Sequence, residues 1–411
     1  MNALLGASDP LFNHGVTWVV VLIVAIKIFV GFNALMGAVT IMIWFERKAI
    51  SDMQSRIGPQ RWGPFGLLQT LADGLKLYGK EDLIPAEADV LVFKLAPYLV
   101  VIPAFITFAI VPVGGTMHIA GHVVLLQMAN PPMGILLLLA MSGISVYGVM
   151  LAGWSSGSKY PLLSSVRASA QMISYEAALG MTIVTVILVT GALTTHNIVL
   201  SQGGGIWHWN LIRLGFVPFA IFLIAITAEL NRPPFDVVEA ESELVGGFHT
   251  EYSSFRFAIF FLAEFMNTIT MSAIMVTLFF GGPAGWVPPV AHLKWVFPII
   301  WFLLKTTIFC FCYIWFRAAL PRFRYDQLMD LGWKRLIPLT LAWLLVVAAV
   351  VTWHWQGLLM VPVVVVAAVL LVRATRLGSG RTAHESVLPS VGRRVSPAPR
   401  PLGRPTQGVD A

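Results

Sequence analysis

Charged residues are scarce in this sequence of 411 residues. Asp, Glu, Lys and Arg together make up 11% of the chain, whereas hydrophobic residues make up 57%. Ordinary soluble domains carry about 25% charged residues, so this shortage excludes a water-soluble globular fold for most of the chain. The composition indicates an integral membrane protein.

Cysteine is rarer still, and the two present, Cys310 and Cys312, lie two residues apart in one apolar run. On a helix they point to different faces, so they support neither a disulfide nor a metal site. The sequence also lacks the motifs of phosphate binding, dinucleotide binding, Cys-x-x-Cys redox chemistry, nucleophilic catalysis and His-Glu-x-x-His zinc sites. We therefore expect that this chain alone binds no metal and no redox cofactor.

Long apolar runs, in contrast, are abundant and predict an all-α polytopic membrane protein with about nine transmembrane helices. A helix needs about 20 mostly apolar residues to span a bilayer. The last run has only 15 residues, so it is either a short ninth span or a re-entrant or interfacial segment. The candidate spans are residues 16–45, 90–113, 133–154, 170–192, 214–230, 255–281, 295–320, 336–355 and 358–372.

The basic residues are concentrated on one predicted side of the membrane. The formal net charge of +7 does not indicate nucleic-acid binding, because 23 of the 27 Lys and Arg residues lie in alternate gaps between apolar runs and in the C-terminal tail. Such an excess marks the cytoplasmic side. It predicts an outer N-terminus, a cytoplasmic tail and an odd number of spans, in the inner or plasma membrane of a bacterium.

Two segments outside the predicted spans differ in character from the rest. Residues 63–80 place Leu and Tyr side chains on one helical face and polar ones on the other. This pattern predicts one amphipathic helix on the cytoplasmic surface, with ordinary packing against other helices as the alternative. Residues 378–411 are rich in Pro, Gly, Ser and Arg, which predicts a disordered tail after a membrane domain of residues 1–377.

Five ionisable residues lie inside predicted spans: Glu176, Glu229, Glu264, Lys27 and Lys305. A charge at the bilayer centre costs about 2.5 to 3.5 kcal/mol on insertion scales, so each residue is a functional candidate. For the three carboxylates we weigh a proton relay against structural ion pairs. For the two lysines we expect a buried carboxylate partner rather than a side chain that reaches the membrane surface.

An acidic loop follows the fifth predicted span. It sets Asp236, Glu239, Glu241 and Glu243 around Arg232. Crowded carboxylates raise one another's pKa values, so some can hold a proton and respond when a nearby charge changes. A solvated acidic surface is the alternative interpretation.

Several sequence motifs follow one another between residues 45 and 343. They are Glu46-Arg47-Lys48, Arg56-Ile57-Gly58-Pro59, Gln171-Met172-Ile173-Ser174-Tyr175-Glu176, Glu229-Leu230-Asn231-Arg232 with Asp236, Glu239-Ala240-Glu241-Ser242-Glu243, and Pro321-Arg322-Phe323-Arg324-Tyr325-Asp326. Together they resemble the family of the membrane-embedded H subunit, called subunit 1 in mitochondria, of proton-pumping NADH:quinone oxidoreductase, respiratory complex I. At Ser51-Asp52 and Gln60 the sequence departs from the family's usual Gly-Tyr and Asn, and residues 358–411 have no obvious equivalent.

The resemblance implies a role in coupling quinone reduction to proton translocation. Its implied partners are the other membrane and peripheral subunits, including an iron-sulfur subunit that delivers electrons, together with quinone as substrate and membrane lipid. FMN and the iron-sulfur clusters would be held by partner subunits. The implied residues are Arg47, Arg56, Arg317 and Asp236 at the quinone chamber, Glu176, Glu229, Glu239, Glu241, Glu243 and Glu264 on the proton path, and Lys27, Arg232 and Lys305 as supporting charges.

Three other functions remain open at this stage. The homologous subunit of a membrane-bound hydrogenase would not use quinone. A transporter would act as a single chain, although no inverted repeat is visible in the sequence. A purely structural scaffold would not need carboxylates in its spans.

Overall fold

A computed structural model describes residues 9–12, 15–119, 121–236, 245–287 and 295–352. The predicted ninth segment, the predicted tail, and the acidic residues Glu239, Glu241 and Glu243 lie outside these ranges. The predictions made for them stay predictions.

The described chain is mostly helical, with one short β-hairpin. The α-helices are α1 (Trp18–Met53), α2 (Gln69–Gly79), α3 (Val90–Ala109), α4 (Gly134–Ser155), α5 (Lys159–Thr190), α6 (Thr195–Ser201), α7 (Asn210–Arg213), α8 (Phe216–Glu229), α9 (Ser254–Phe279), α10 (Val296–Ala319), α11 (Tyr325–Asp330) and α12 (Ile337–Thr352). Strands β1 (Thr116–Ile119) and β2 (His122–Leu125) pair antiparallel, with Thr116 opposite Leu125. Single 3-10 turns occupy Pro10–Phe12, Pro64–Gly66, Ile206–His208 and Gly247–His249, and a π-helical turn, Leu331–Leu336, joins α11 to α12.

Seven helical segments within the described residues are long and apolar enough to cross a membrane. They are α1, α3, α4, α5, α9, α10 and the continuous segment Tyr325–Thr352. Helix α8 is apolar but has only 14 residues, which is about 21 Å at 1.5 Å per residue. The all-α polytopic membrane fold is confirmed, whereas the count of nine stays a prediction.

Helix α1 continues eight residues beyond the predicted span and ends at Met53. The charged residues after Phe45 are good helix formers, so the helix does not stop where the apolar run stops. As a result Glu46 and Arg47 lie on a helix rather than in a loop, and Glu46 is buried with 4% of its surface exposed.

The predicted surface helix is shorter than the sequence pattern indicates. Residues 63–80 contain a 3-10 turn at Pro64–Gly66 and then α2, which has 11 residues. The break lies at Gly66, whose φ is +78° and where an added Cβ would lie 2.5 Å from the carbonyl group of Pro59. Only glycine fits that backbone conformation without strain. Several apolar side chains of α2, such as Leu75 and Tyr78, are exposed.

Helix α5 begins at Lys159, eleven residues before the predicted span. Its first turns carry Ser164, Ser165 and Ala168 on a buried face that packs against α4. The small residues allow close approach, because a Cβ on Gly153 of α4 would lie 2.4 Å from the carbonyl oxygen of Pro161. A hydropathy pattern does not detect such a small-residue contact.

Helix α9 lies at the centre of the bundle. Every residue from Thr268 to Phe279 is buried, and the helix packs against α1, α3 and α10. A helix buried all round must be apolar or have its polar groups satisfied by neighbours. Glu264, the one carboxylate of α9, lies at its eleventh residue, just before this fully buried part.

Candidate functional site

A buried ion cluster forms where α1, α9, α10 and the loop after α8 meet. Arg232 donates from Nη1 to Glu46 Oε2 at 2.6 Å, and Arg317 of α10 donates to the other oxygen, Oε1. Arg232 Nη2 lies 3.2 Å from Glu264 Oε1. A single guanidinium is thus shared by two carboxylates from different helices. We call Glu46, Arg232, Glu264 and Arg317 the central ion cluster.

The loop that carries Arg232 is held in place by α5. The side-chain amide of Gln171 donates to the carbonyl oxygens of Ala228 at 2.8 Å and Phe235 at 2.9 Å. Because both ends of the loop are tied to one buried side chain, Arg232 has a fixed position. It is 1% exposed, and a charge so deeply buried must be paired to be tolerated.

Glu264 also lines a small cavity of about 60 Å³ that it shares with Glu229. The exposed fraction of the whole Glu264 side chain is 28%, so the pairing with Arg232 does not enclose this side chain completely. The other polar side chains around the cavity are Ser145, Asn231, His249 and Asn267. Glu229 and Glu264, which come from two different helices, therefore border the same cavity, whose wall is partly polar.

Glu176 extends this group of carboxylates toward α4. Its Oε1 lies 3.5 Å from the position that a Cβ on Gly143 would take, and Glu176 and Glu229 are close enough to repel each other electrostatically. Glu229 accepts a hydrogen bond from the Ser142 hydroxyl. The structure thus brings together the three carboxylates of the predicted spans.

Sequence reasoning missed two residues of this site. Glu46 belongs to a family motif, but its charged neighbours indicate a loop, and its location at the end of a long apolar run was the available signal. His249 lies in the 3-10 turn just before α9 and contacts the rings of Phe248, at a centroid distance of 5.0 Å, and Phe257, at 5.3 Å. Burial lowers the pKa of His249 to about 4, so its imidazole is neutral at pH 7.

Of the four residues expected at the quinone chamber, only Arg317 belongs to the central ion cluster. Arg47 donates to Asp73 of α2 at 2.5 Å. Burial alone would raise the pKa of Asp73, but the hydrogen bond and the charge of Arg47 outweigh burial, and this pKa lies below its usual value. Asp236 pairs with Arg322 at 3.0 Å. Arg56 is exposed and forms no ion pair with any described residue.

The two lysines differ from each other. Lys27 has the expected carboxylate partner, since its Nζ lies 3.8 Å from Asp9. For Lys305 the expectation was wrong. Its Nζ donates instead to the carbonyl oxygens of Phe280, Gly282 and Ala284, at 2.8, 3.0 and 2.7 Å. The turn that ends α9 leaves these carbonyl groups without helical partners, so they can replace a carboxylate.

A family and two relatives show what this chain is similar to. The family described as NADH dehydrogenase matches residues 26–348. A relative from Frankia alni (strain DSM 45986 / CECT 9034 / ACN14a), named as the H subunit of NADH-quinone oxidoreductase, is 53% identical over 312 residues, which is 74% of this chain and 68% of the relative. A relative of the same name from Frankia casuarinae (strain DSM 45818 / CECT 9043 / HFP020203 / CcI3) is 49% identical over 352 residues, 83% of this chain and 75% of the relative.

The chain belongs to the NADH dehydrogenase family. The family match contains the whole central ion cluster, the carboxylates Glu176 and Glu229, and both intramembrane lysines. The predicted ninth segment and the predicted tail follow the matched region. Within the described residues no group of three or more His, Cys, Asp or Glu could hold a metal ion.

Proposed function

We propose that the chain acts as the H subunit of a bacterial NADH-quinone oxidoreductase, respiratory complex I. In this role it forms part of the quinone chamber and the start of the proton path, while peripheral partners hold the FMN and iron-sulfur clusters and deliver electrons. Membership of the family and the names of the two relatives support the complex. The geometry of the central ion cluster supports the more detailed role.

One observation carries the proposal: Arg232 links two carboxylates that face different surroundings. Glu46 is bound on its other oxygen by Arg317, on the side of the residues that we assign to the quinone chamber. Glu264 faces the cavity shared with Glu229. A change of charge near Glu46 therefore alters the electrostatic field at Glu264, because both carboxylates share the guanidinium of Arg232.

The proposed mechanism is a linkage between quinone reduction and carboxylate protonation. Reducing a quinone to a quinol consumes protons and changes the charge near Arg47, Arg317 and Asp236. When the charge balance around Glu46 changes, the hold of Arg232 on Glu264 changes as well, because a salt bridge favours the ionised carboxylate. Glu264 then releases or takes up a proton, which passes by way of the cavity to Glu229 and Glu176.

The test is Glu264→Gln in the assembled complex. Glutamine keeps the size and one carbonyl acceptor but cannot carry a proton, so we expect quinone reduction and proton pumping to fall roughly 10-fold or more. Electron transfer from NADH to a water-soluble acceptor reports the peripheral subunits and should be unchanged. The matched control is Glu81→Gln, because Glu81 is exposed.

Two results would contradict parts of this proposal. Full pumping by Glu264→Gln would remove Glu264 from the proton path. If replacing Glu176, Glu229 and Glu264 together by Gln lowered only the melting temperature, with pumping per electron intact, the chain would be a scaffold. Retained binding of the partner subunits in both variants, measured by co-purification, keeps these outcomes separate from failed assembly.

A further inference from the structure

Lys305 lies in the middle of α10 and is 9% exposed. Its three carbonyl acceptors belong to the turn that follows α9, and its Nζ also lies 4.6 Å from the centroid of the Trp209 ring. No described carboxylate pairs with it. Lys305 is therefore a buried cation that is held by backbone dipoles and an aromatic face.

The three short contacts indicate that the amine of Lys305 is charged. An ammonium group has three N–H donors, and three acceptors lie within 3.0 Å of Nζ. A neutral amine has only two donors and would leave one of these short contacts without a hydrogen. The negative end of the α9 dipole also favours a cation at this place.

The same end of α9 is closed by two further buried side chains. Gln202 donates to the carbonyl oxygen of Thr277 at 2.9 Å and accepts from the backbone N–H of Gly281 at 3.0 Å. Asn210 donates to the carbonyl oxygen of Leu278 at 2.8 Å. With Lys305, these residues form what we call the α9 end seal. They satisfy the carbonyl groups that a helix end leaves open.

Aromatic rings pack against the seal and make its surroundings apolar. The ring of Phe280 lies 5.4 Å from that of Phe219 and 5.1 Å from that of Phe309. The field of a cation is strong in such an apolar environment, because the effective dielectric constant is low. The charge of Lys305 therefore acts over a longer distance than a surface charge would.

A row of polar groups runs from the central ion cluster toward the seal. On α9 the hydroxyl of Thr268 donates to the carbonyl oxygen of Glu264, and the hydroxyl of Ser272 donates to that of Thr268. Cys310 of α10 approaches Ser272 at 3.5 Å. Thr306 and Tyr313 of α10 have buried hydroxyl groups with no hydrogen-bond partner among the described residues.

This row offers protons a second route. A hydroxyl group both donates and accepts, so a proton can pass along hydroxyl groups and any water between them. Glu264 and Phe280, the first residue after α9, are 16 positions apart on the chain, which is about 24 Å along a helix. A proton that followed α9 to its far end would cross the membrane without doing work.

We propose that Lys305 is an electrostatic barrier that stops protons from passing along the α9–α10 interface beyond the α9 end seal. The inference rests on the proposed function of Glu264 as a proton carrier. A fixed cation in a dry site repels an approaching positive charge, as basic residues and helix dipoles do in pores that exclude protons and cations. Protons from the Glu264 cavity would then continue only by way of Glu229 and Glu176.

The test measures passive proton permeability of the complete complex in proteoliposomes, with an imposed pH difference and without NADH or quinone. We expect Lys305→Gln to raise the permeability at least several-fold, and Lys305→Arg to leave it near the level of the unchanged complex. In Lys305→His the leak should increase with pH, because imidazole loses its charge near pH 6.5. The matched control is Lys94→Gln, which removes an exposed lysine from helix α3.

The outcomes separate the barrier from simple packing. Unchanged permeability in Lys305→Gln, or an equal leak in Lys94→Gln, would overturn the proposal. If Lys305→Gln does not assemble, Lys305→His decides, because a packing defect would give a leak that does not change with pH. The leak is measured without turnover, so it does not depend on whether the complex pumps protons. If the unchanged complex reduced quinone without pumping, the proposed function would be refuted, but the leak of each variant could still be measured.

Discussion

Arg232 takes part in a buried arrangement whose charges balance. The central ion cluster contains two carboxylates and two guanidinium groups, and next to it Asp236 pairs with Arg322. Burial makes any unpaired charge costly, since the desolvation of an ion in a protein costs several kcal/mol. Under the proposed function, a negative charge that forms on a quinone near the cluster would have to be offset by movement of a proton or of an arginine. Because the charges of the cluster balance, a new charge close to it would disturb the balance.

His249 leads to a prediction about pH. Its pKa is about 4 in the folded chain and about 6.5 in an unfolded chain, so between these values the unfolded state binds the extra proton. Stability is then lost as the pH falls through this window, by up to about 3 kcal/mol below pH 4. His249→Phe keeps the ring contacts but has no imidazole to protonate. We expect the melting temperature of this variant to fall less between pH 7 and pH 5 than that of the unchanged complex.

The control for this prediction is His208→Gln, because His208 is exposed. That variant should show the pH dependence of the unchanged complex. An equal fall in melting temperature for His249→Phe and for the unchanged complex would mean that His249 does not titrate in this range.

Single residues were predicted from the sequence only where their surroundings identified them. Glu264 and Glu229 were found because a carboxylate in an apolar run is conspicuous. Glu46 was not, since it is followed by Arg47 and Lys48 and the three together are typical of a surface loop. The partners of Lys305 could not be predicted, because backbone carbonyl groups have no sequence signature.

At the scale of elements, glycine sets how closely α3 and α4 pack. A Cβ on Gly148 of α4 would lie 2.5 Å from the side chain of Val100 and 3.1 Å from the backbone of Leu99. We expect Gly148→Ala to destabilise the chain by about 1 to 3 kcal/mol, because α3 would have to move away. The apparent melting temperature of the purified complex measures the effect.

The matched control is Gly180→Ala on α5. A Cβ there meets nothing within 4 Å, and alanine favours a helix over glycine by up to about 1 kcal/mol. This variant should melt at the same temperature as the unchanged chain or slightly above it. If both variants melted alike, close packing at Gly148 would not be what holds α3 against α4.

Helix ends were predicted well only where the change in polarity coincides with a helix breaker. The predicted span at residues 90–113 and α3 begin together, because Asp89 caps the helix by accepting from the backbone N–H of Leu91. In α1 and α5 the helix extends past its apolar part. The polar extension of α1 carries Glu46, and that of α5 makes the contact with Gly153. Hydropathy does not predict such extensions, so it could not predict the ion cluster or the helix contact that depend on them.

At the scale of the whole molecule, the candidate site depends on distant parts of the chain. Glu46 and Arg317 are 271 positions apart, and Glu46 and Arg232 are 186 apart. Periodicity and composition predict each helix separately but do not say which helices touch. The existence of the membrane fold was therefore predictable, while the pairing that links the cluster to the cavity required the structure.

The direction of the chain through the membrane is a prediction that reporter fusions can test. Residue 335 ends the basic segment that follows α10 and lies in the π-helical turn before α12. We expect this segment on the cytoplasmic side, and seven arginines follow from Arg373 onward. If residues 336–355 and 358–372 both span, fusions after residues 335 and 377 share one side, because two crossings return the chain. A reporter active only in the cytoplasm should therefore work at both positions and fail after residue 203. If the reporter worked after residue 335 but not after residue 377, residues 358–372 would be a re-entrant or interfacial segment. The arginines from Arg373 onward would then lie on the outer side, contrary to the usual charge rule.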